Sequence, residues 1–373
     1  MPLGCAGAAR SVLQKLLAEK PELEGSLAGL MNPDSRSEPA EHEPEKIRQM
    51  GVRQPELPIV LEGLATADFV SSDYESAASH CQALVRLEPG NAMAWYNLGV
   101  AQQRNGRLAE ARAAYLEAVR LDPEMPEAHL NLGMLAFGAG DLNEAIERCE
   151  CALKLSPQLE PAMWNLALIR EKQGDLPAAV SLYTRLTEAD PSSADAWFRL
   201  GYASLLAGDA QGAASAFETC IRERSPWVEA SYNAGVAYFR LGAAAKARQA
   251  FESVLETEPG SADALQGLGT LAMQAGDLPR ALELHRRIFD LGVRTPELLY
   301  NRAWLEQEAG QTEAAAGLYM QALAARPDFP EALVNLGLIR EAQGDERAAV
   351  EYLQKAFELN PELARDYFEP IAV

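Results

Sequence analysis

Small, apolar and polar positions repeat along this chain with a period of 34 residues. Alanine returns at that interval from Ala77 to Ala349 without a slip. A fixed period of this length is typical of proteins built from stacked structural units. The period therefore predicts a row of similar units in place of one globular core. The alanines of the series are Ala77, Ala111, Ala145, Ala179, Ala213, Ala247, Ala281, Ala315 and Ala349.

Glycine and proline mark the turns of each repeat. Nine repeats tile residues 58–363 without an insertion, and their positions are numbered here as places 1 to 34. Glycine occupies place 15 in eight repeats and proline occupies place 32 in seven. Glycine readily adopts the positive φ that ends a helix, and proline cannot continue one. Each repeat is therefore predicted to contain two helices joined by a turn. The repeats start at Pro58, Ala92, Pro126, Glu160, Ala194, Val228, Ala262, Pro296 and Pro330.

Different residue patterns mark the first and the second helix of each repeat. Aspartate often follows the place-15 glycine and can cap the second helix. Since an α-helix has about 3.6 residues per turn, places 4, 7, 8 and 11 of the first helix share a face that we expect to pack. Places 2, 6, 9 and 13 point the opposite way. The aspartates are Asp141, Asp175, Asp209, Asp277 and Asp345.

The segment WYNLGVAQQRNGRLAEARAAYLEAVRLDP shows the whole pattern, with Trp95, Leu98, Gly99, Gly106, Ala111, Tyr115, Ala118 and Pro123. This pattern resembles the tetratricopeptide repeat, and the resemblance covers about four fifths of the chain. It implies an all-α fold, a right-handed superhelical α-solenoid of helix–turn–helix repeats. It also implies that the chain is a protein–protein interaction scaffold.

Residues 1–57 and 364–373 do not follow the repeat. Ser11 to Lys20 are predicted to form a short amphipathic helix, and an acidic, proline-rich flexible linker follows it. Residues 364–373 are predicted to be a short C-terminal tail. The N-terminal residues have neither the basic region nor the apolar stretch of a signal peptide, so we expect a cytoplasmic protein.

The composition narrows the range of possible functions and partners. The net charge is −21, from 33 basic and 54 acidic residues, which argues against a nucleic-acid partner. No apolar run is long enough to span a membrane. We find no nucleophile–base set, metal-ligand spacing or phosphate-binding loop, so we expect neither an enzyme nor a cofactor. The partner is predicted to be another protein or a peptide.

The cysteines and histidines are interpreted as structural residues. Cys81, Cys149 and Cys220 occupy places predicted to face the core, where a free cysteine behaves as a small apolar residue. Cys149 and Cys151 indicate a metal or redox site only weakly, because no second pair lies nearby. His129 and His285 fall at places predicted to pack.

Asparagine recurs at place 6 on the face opposite the packed one. These residues, called the asparagine row, are Asn97, Asn131, Asn165, Asn233, Asn301 and Asn335. An asparagine carries a donor and an acceptor, so a row of them can bond the backbone of an extended peptide. The row is similar to the asparagine ladder of O-linked N-acetylglucosamine transferases, although Arg199, Gly63 and Gly267 interrupt it. The alternative, equally open, is that these asparagines join neighbouring helices.

Further residues are predicted to line the same groove. Place 2 is acidic in six repeats. The helix dipole stabilises a carboxylate in the first turn, and these acids also bias the groove against acidic ligands. Aromatic and basic residues complete the predicted site. They are Tyr96, Trp164, Tyr232 and Tyr300 at place 5, Tyr202 and Trp304 at place 9, and Arg104, Lys172 and Arg240 at place 13, together with Arg199.

Three functions follow from these features. The first is a scaffold that binds an extended peptide or a helix in a concave groove. The second is a structural protein that self-associates through its ends or convex face, with the C-terminal end preferred. The third and weakest is an accessory subunit of a separately encoded transferase.

One repeat junction departs from the pattern. In repeat 8 the usual leucine and glycine at places 7 and 8 are replaced by Arg302 and Ala303. A guanidinium near the packed face must find a polar partner. We therefore expect a local irregularity between repeats 7 and 8.

Overall fold

The computed structural model describes residues 57–363, which form eighteen α-helices and no strand. The predictions for residues 1–56 and 364–373 lie outside the described residues. Each repeat contributes two helices, so odd-numbered helices are first helices and even-numbered ones are second helices. The fold is all-α and consists of tandem helix–turn–helix repeats, as predicted.

The first helices are α1 (Pro58–Val70), α3 (Ala92–Arg104), α5 (Pro126–Ala139), α7 (Glu160–Gln173), α9 (Ala194–Leu206), α11 (Val228–Arg240), α13 (Ala262–Gln274), α15 (Pro296–Glu308) and α17 (Pro330–Ala342). The second helices are α2 (Tyr74–Leu87), α4 (Leu108–Leu121), α6 (Leu142–Leu155), α8 (Leu176–Ala189), α10 (Ala210–Glu223), α12 (Ala244–Thr257), α14 (Leu278–Asp290), α16 (Thr312–Ala325) and α18 (Glu346–Leu359).

The chain divides into two compact units, Met1–Leu186 and Thr187–Val373. Within each unit the two helices of a repeat form a hairpin, and the second helix also packs on the first helix of the following repeat. First helices of neighbouring repeats touch as well, α5 with α7 in the first unit and α9 with α11 in the second. Each unit is therefore a row of hairpins in which every interior helix has neighbours on several sides.

The turn within each repeat has the chemistry that the sequence predicts. All eight place-15 glycines have a positive φ, between 70° and 87°. In repeat 1 the same place is Ser72, which adopts a φ of 58°. The five predicted aspartate caps each accept a hydrogen bond from a backbone N–H three residues later, at 2.8 to 3.3 Å.

The hairpins close through places 8 and 24. Gly235 at place 8 lies so close to Phe251 at place 24 that an added Cβ would be 2.6 Å from the ring. On its other side the same ring is 2.7 Å from the Cβ position of Gly267, in the next repeat. Phe251 is therefore held between two glycines. Ala167 and Ala303 occupy place 8 in repeats with tyrosine at place 24, so only some repeats require glycine.

Tyrosines at place 24 are buried with their hydroxyl groups satisfied. Tyr115 donates to Oε1 of Gln103 at 2.7 Å, and Tyr319 donates to Oε1 of Gln307 at 3.0 Å. Tyr183 donates to Glu171 in the same way, at 3.0 Å. Place 12 of the first helix supplies the acceptor each time. The hairpin contact is thus apolar around the ring and polar at its tip.

At the junction between repeats 7 and 8, two arginines surround one buried carboxylate, that of Glu306. The Arg302 guanidinium lies 4.4 Å from the Phe289 ring centre, and its Nε is 3.6 Å from Glu306 Oε1. Glu306 is only 5% exposed and is also 3.3 Å from Arg286. The partner expected for Arg302 is therefore Glu306, one helical turn along α15.

His285 is a second buried titratable residue of this junction, besides Glu306. It is 1% exposed at place 24 of repeat 7, beside Gly269. Burial, and secondarily the positive charge of Arg302, lowers the pKa of His285 from 6.5 to about 4. The side chain is therefore uncharged in the folded protein near neutral pH.

We expect Gly235→Ala to lower the free energy of unfolding by about 1–3 kcal/mol, because Phe251 has no room to move away. Gly317 in α16 is the matched control, since nothing lies within 4 Å of its Cβ position. Gly317→Ala should raise stability by up to about 1 kcal/mol, the usual gain within a helix. Chemical denaturation measures both, and equal effects would contradict the close approach at Phe251.

Acid should weaken the fold through His285. Because its folded pKa is about 4 and its ordinary pKa is 6.5, the unfolded chain binds the proton first as the pH falls. This contribution to stability is lost as the pH drops through that interval, by about 2 kcal/mol between pH 7 and pH 5. His285→Leu should remove it, since Leu353 occupies the same place in repeat 9. Denaturation curves of both proteins at the two pH values measure the difference, and identical losses would contradict this role.

Candidate peptide-binding face

The candidate site is the face of the first helices formed by places 2, 5, 6, 9 and 13, called the first-helix face. All six residues of the asparagine row are half-buried on it. The place-2 acids are exposed. The place-9 residues of repeats 2 to 9, which include Tyr202 and Trp304, are half-buried. The face is therefore neither a packed core nor an ordinary charged surface.

Two members of the asparagine row hold neighbouring repeats together. Asn131 Nδ2 donates to the Tyr96 hydroxyl of the preceding repeat at 3.4 Å. Asn335 Nδ2 lies 3.3 Å from the Tyr300 hydroxyl and 3.0 Å from that of Tyr319. At these two positions the helix-joining interpretation applies.

The other four asparagines are different. Within residues 57–363, the structure gives no side-chain hydrogen bond to Asn97, Asn165, Asn233 or Asn301. They belong to repeats 2, 4, 6 and 8, called the even repeats. The row therefore separates into amides used inside the protein and amides left to solvent, and the two kinds fall in alternate repeats.

Aromatic pairs explain the alternation. In every even repeat an aromatic residue at place 5 packs on an aromatic residue at place 24. The ring centres are 5.8 Å apart for Tyr96–Tyr115, 6.0 Å for Trp164–Tyr183, 5.7 Å for Tyr232–Phe251 and 5.8 Å for Tyr300–Tyr319. Place 6 of the following odd repeat meets this pair within each unit: Asn131 and Asn335 bond to it, and Gly267 makes room for it.

The sequence carries a signal of this alternation that the 34-residue period hides. An aromatic residue directly precedes an asparagine once every 68 residues. The pairs are Tyr96–Asn97, Trp164–Asn165, Tyr232–Asn233 and Tyr300–Asn301. The prediction of a single asparagine row missed this double period, because it considered places 5 and 6 separately.

Three of the four predicted basic residues are anchored to the preceding repeat. Arg104 lies over the Tyr74 ring at 5.9 Å, and Lys172 lies over the Phe137 ring at 4.9 Å. Arg240 Nη1 donates to the Leu205 carbonyl at 2.8 Å. These three side chains contact residues near helix ends and remain exposed, whereas Arg199 is half-buried.

In the second unit, several aromatic rings lie on or beside the first-helix face. Phe198 stacks on Trp227 with ring centres 4.8 Å apart and on Tyr202 at 6.5 Å. Arg224 covers the Trp227 ring at 4.6 Å. Trp304 packs against the core of the same unit while staying half-buried. Flat apolar surface thus lies beside the open asparagines.

Carboxylates at place 2 lie near the place-5 tyrosines of the preceding repeat. Burial raises the pKa of Tyr232, and the Asp263 carboxylate raises it further. Burial likewise raises the pKa of Tyr300; the hydrogen bond from Asn335 opposes this, and Glu331 adds to it. The phenols therefore stay protonated, and a negative charge lies near each of them.

Residues 57–363 contain no group of three or more histidine, cysteine or acidic residues placed to hold a metal ion. Burial raises the pKa values of Cys81, Cys149 and Cys220 to about 12, so these thiols are protonated. No helix in this range is both long and apolar enough to cross a bilayer.

The fold and the face together define a class, the helical-repeat scaffolds that present extended surfaces to other proteins. A family model described as tetratricopeptide repeat matches residues 63–126, 101–160, 165–226 and 300–364. A second model with the same description matches residues 238–298. The chain therefore belongs to the tetratricopeptide repeat family.

The chain is similar to several solved structures at low sequence identity. The C-terminal part of a tetratricopeptide repeat protein from Cytophaga hutchinsonii has 17% identity and a TM-score of 0.55, covering 65% of this chain and 99% of that one. A tetratricopeptide repeat protein from Parabacteroides merdae has 17% identity and a TM-score of 0.45, covering 71% and 98%. YrrB, a repeat protein with an unusual peptide-binding site, has 20% identity and a TM-score of 0.44, covering 50% and 96%. No curated protein matches the sequence.

Proposed function

We propose that the first-helix face binds an extended segment of another protein, and that the open amides of the even repeats bond its backbone. The observation that carries this proposal is the set of four half-buried asparagines without an internal partner in residues 57–363. A half-buried amide loses part of its contact with water, so a ligand's N–H and C=O groups are its best partners.

The spacing of the repeats suits an extended chain. Packed helices lie about 8–10 Å apart, and a strand-like peptide rises about 3.3 Å per residue. One repeat therefore corresponds to about three ligand residues, and neighbouring even repeats to about six. Asn233 and Asn301 would then hold backbone groups about six residues apart, with ligand side chains between them reaching the rings.

The test compares the two kinds of asparagine. A peptide selected from a random library on the full chain supplies the ligand. Replacing Asn165, Asn233 and Asn301 with alanine should weaken its binding by about 0.5–1.5 kcal/mol per lost hydrogen bond and leave the melting temperature almost unchanged. Fluorescence anisotropy and thermal unfolding measure the two effects.

Asn131→Ala with Asn335→Ala is the matched control. These changes remove hydrogen bonds between repeats, so they should lower the melting temperature and affect binding less. If the control pair weakens binding as much as the open asparagines do, or the open asparagines affect only stability, the proposed binding mode is wrong.

Self-association through the last repeat is a second candidate. A groove of about 780 Å³ runs along α18 and is lined by Ala349, Val350 and Leu353, with Glu346 and Glu358 at its edges. Val350 is 63% exposed, an unusual value for a branched apolar side chain. An apolar face of this kind at the end of a repeat row favours contact with another chain.

If self-association uses this groove, Val350→Glu should keep the protein a single chain at concentrations where the unchanged protein forms larger species. Light scattering coupled to size-exclusion chromatography over a concentration series measures this. Val70→Glu, at an exposed apolar residue of α1, is the control and should have no such effect. A constant single-chain mass for the unchanged protein would rule this candidate out.

A further inference from the structure

We infer that the bound segment is basic, and that its lysine or arginine side chains bind where the tyrosine of an even repeat meets the carboxylate of the following odd repeat. Three such tyrosine–carboxylate pairs lie on the first-helix face: Tyr96 with Glu127, Tyr232 with Asp263, and Tyr300 with Glu331. This inference rests on the proposed function, because it names the chemistry of the ligand bound there.

The helix geometry brings two of the pairs together, and in the third the Asp263 carboxylate lies close enough to raise the pKa of Tyr232. Glu331 and Asn335 are four residues apart on α17 and therefore share one side of the helix. Asn335 reaches the Tyr300 hydroxyl at 3.3 Å, so Glu331 lies one turn away from that phenol. The first unit repeats this arrangement, with Glu127 one turn before Asn131, which bonds Tyr96.

These carboxylates are available to a ligand. Glu127, Asp263 and Glu331 are exposed, and none forms an ion pair within residues 57–363. Their tyrosines are half-buried, so each ring keeps an accessible part. An aromatic ring beside a carboxylate attracts a cation through the ring face and through opposite charge.

The chain itself shows arginines held between an aromatic ring and a place-2 carboxylate, here both from the arginine's own repeat. The Arg224 guanidinium lies 4.6 Å from the Trp227 ring centre and 3.2 Å from Asp195. In repeat 8 the Arg326 guanidinium lies 3.6 Å from the Phe329 ring centre and 2.7 Å from Glu297. Repeats 3, 6, 7 and 9 have the place-2 acid without such an arginine, so these carboxylates have no cation from the described chain.

Helix-dipole compensation accounts for an acid in the first helical turn but not for the ring beside it. Place 2 is acidic in all five repeats of the second unit, and two of those acids already have an arginine. The chain carries a net charge of −21, which draws a basic segment toward the face and repels an acidic one.

The spacing of the pairs makes the inference specific. Asp263 and Glu331 are two repeats apart, which corresponds to about six residues of an extended peptide. Two basic residues at that separation can occupy both pairs of the second unit together. Two adjacent basic residues can occupy only one.

The experiment uses the full chain and labelled peptides of the same alanine, serine and leucine background. One peptide has two lysines about six residues apart, and three others have adjacent lysines, two glutamines or two glutamates. By fluorescence anisotropy, we expect the spaced-lysine peptide to bind about tenfold more tightly than the glutamine peptide, with the glutamate peptide weakest. The adjacent-lysine peptide should fall between the first two.

Asp263→Asn with Glu331→Gln should bring the spaced-lysine peptide to the affinity of the glutamine peptide. The control pair, Glu252→Gln with Glu351→Gln, changes the net charge equally at exposed acids of the second helices and should keep the tenfold difference. Circular dichroism checks that all variants remain folded.

Equal binding of the lysine, glutamine and glutamate peptides would overturn the inference while leaving the proposed function intact. An equal loss in the control pair would also overturn it, because the attraction would then be that of the whole chain. Failure of every peptide to bind would contradict the proposed function as well as this inference.

Discussion

The side chain at place 24 is the residue on which each repeat depends, because it joins three helices. Phe251 lies against Gly235 of its own hairpin and Gly267 of the next repeat. Tyr319 bonds Gln307 within its hairpin and Asn335 in the following one. A change in size at place 24 is therefore felt both inside the repeat and between repeats. That is why the period of the chain is strict although the residues within it vary.

The packing at place 24 also affects which place-6 asparagines lack a hydrogen-bond partner inside the described chain. Where an aromatic residue at place 5 packs on a ring at place 24, place 6 of the next repeat bonds to the pair in repeats 3 and 9 and is glycine in repeat 7. Asn131 bonds, and Gly267 gives way. Each asparagine of an even repeat follows an odd repeat, and most odd repeats lack this pair of rings. The exception is repeat 5, where Phe198 packs on Phe217 ahead of Asn233. In the proposed binding mode, place 6 therefore serves stability in some repeats and recognition in others.

The sequence was enough to predict the fold and its local chemistry. The positive φ at place 15, the aspartate caps and the helix pairing depend on residues close together in the chain, so pattern alone identifies them. The need of Arg302 for a polar partner was also predictable. Its identity, Glu306, became clear only when two helical positions and a neighbouring repeat were placed together.

The site was less predictable, because the state of each asparagine depends on residues one repeat earlier. Nothing at place 6 distinguishes Asn131 from Asn165. The difference lies in Tyr96 and Tyr115, which precede Asn131, compared with Leu130 and Cys149, which precede Asn165. A pairwise comparison of places 5, 6 and 24 in the sequence contains this information. A search at a single place does not.

The place-2 acids of the first-helix face have one role in the fold and a second role in the proposed recognition of a ligand. A carboxylate in the first turn of a helix is stabilised by the dipole by about 0.3–1 kcal/mol, so the free protein gains from each place-2 acid. In repeats 5 and 8 an internal arginine uses that charge, through Asp195 and Glu297. In repeats 7 and 9 the same charge stands beside a tyrosine with no internal cation in the described chain. The helix dipole therefore explains why the acids are present, and the proposed basic ligand is a partner for those carboxylates that lack an internal arginine.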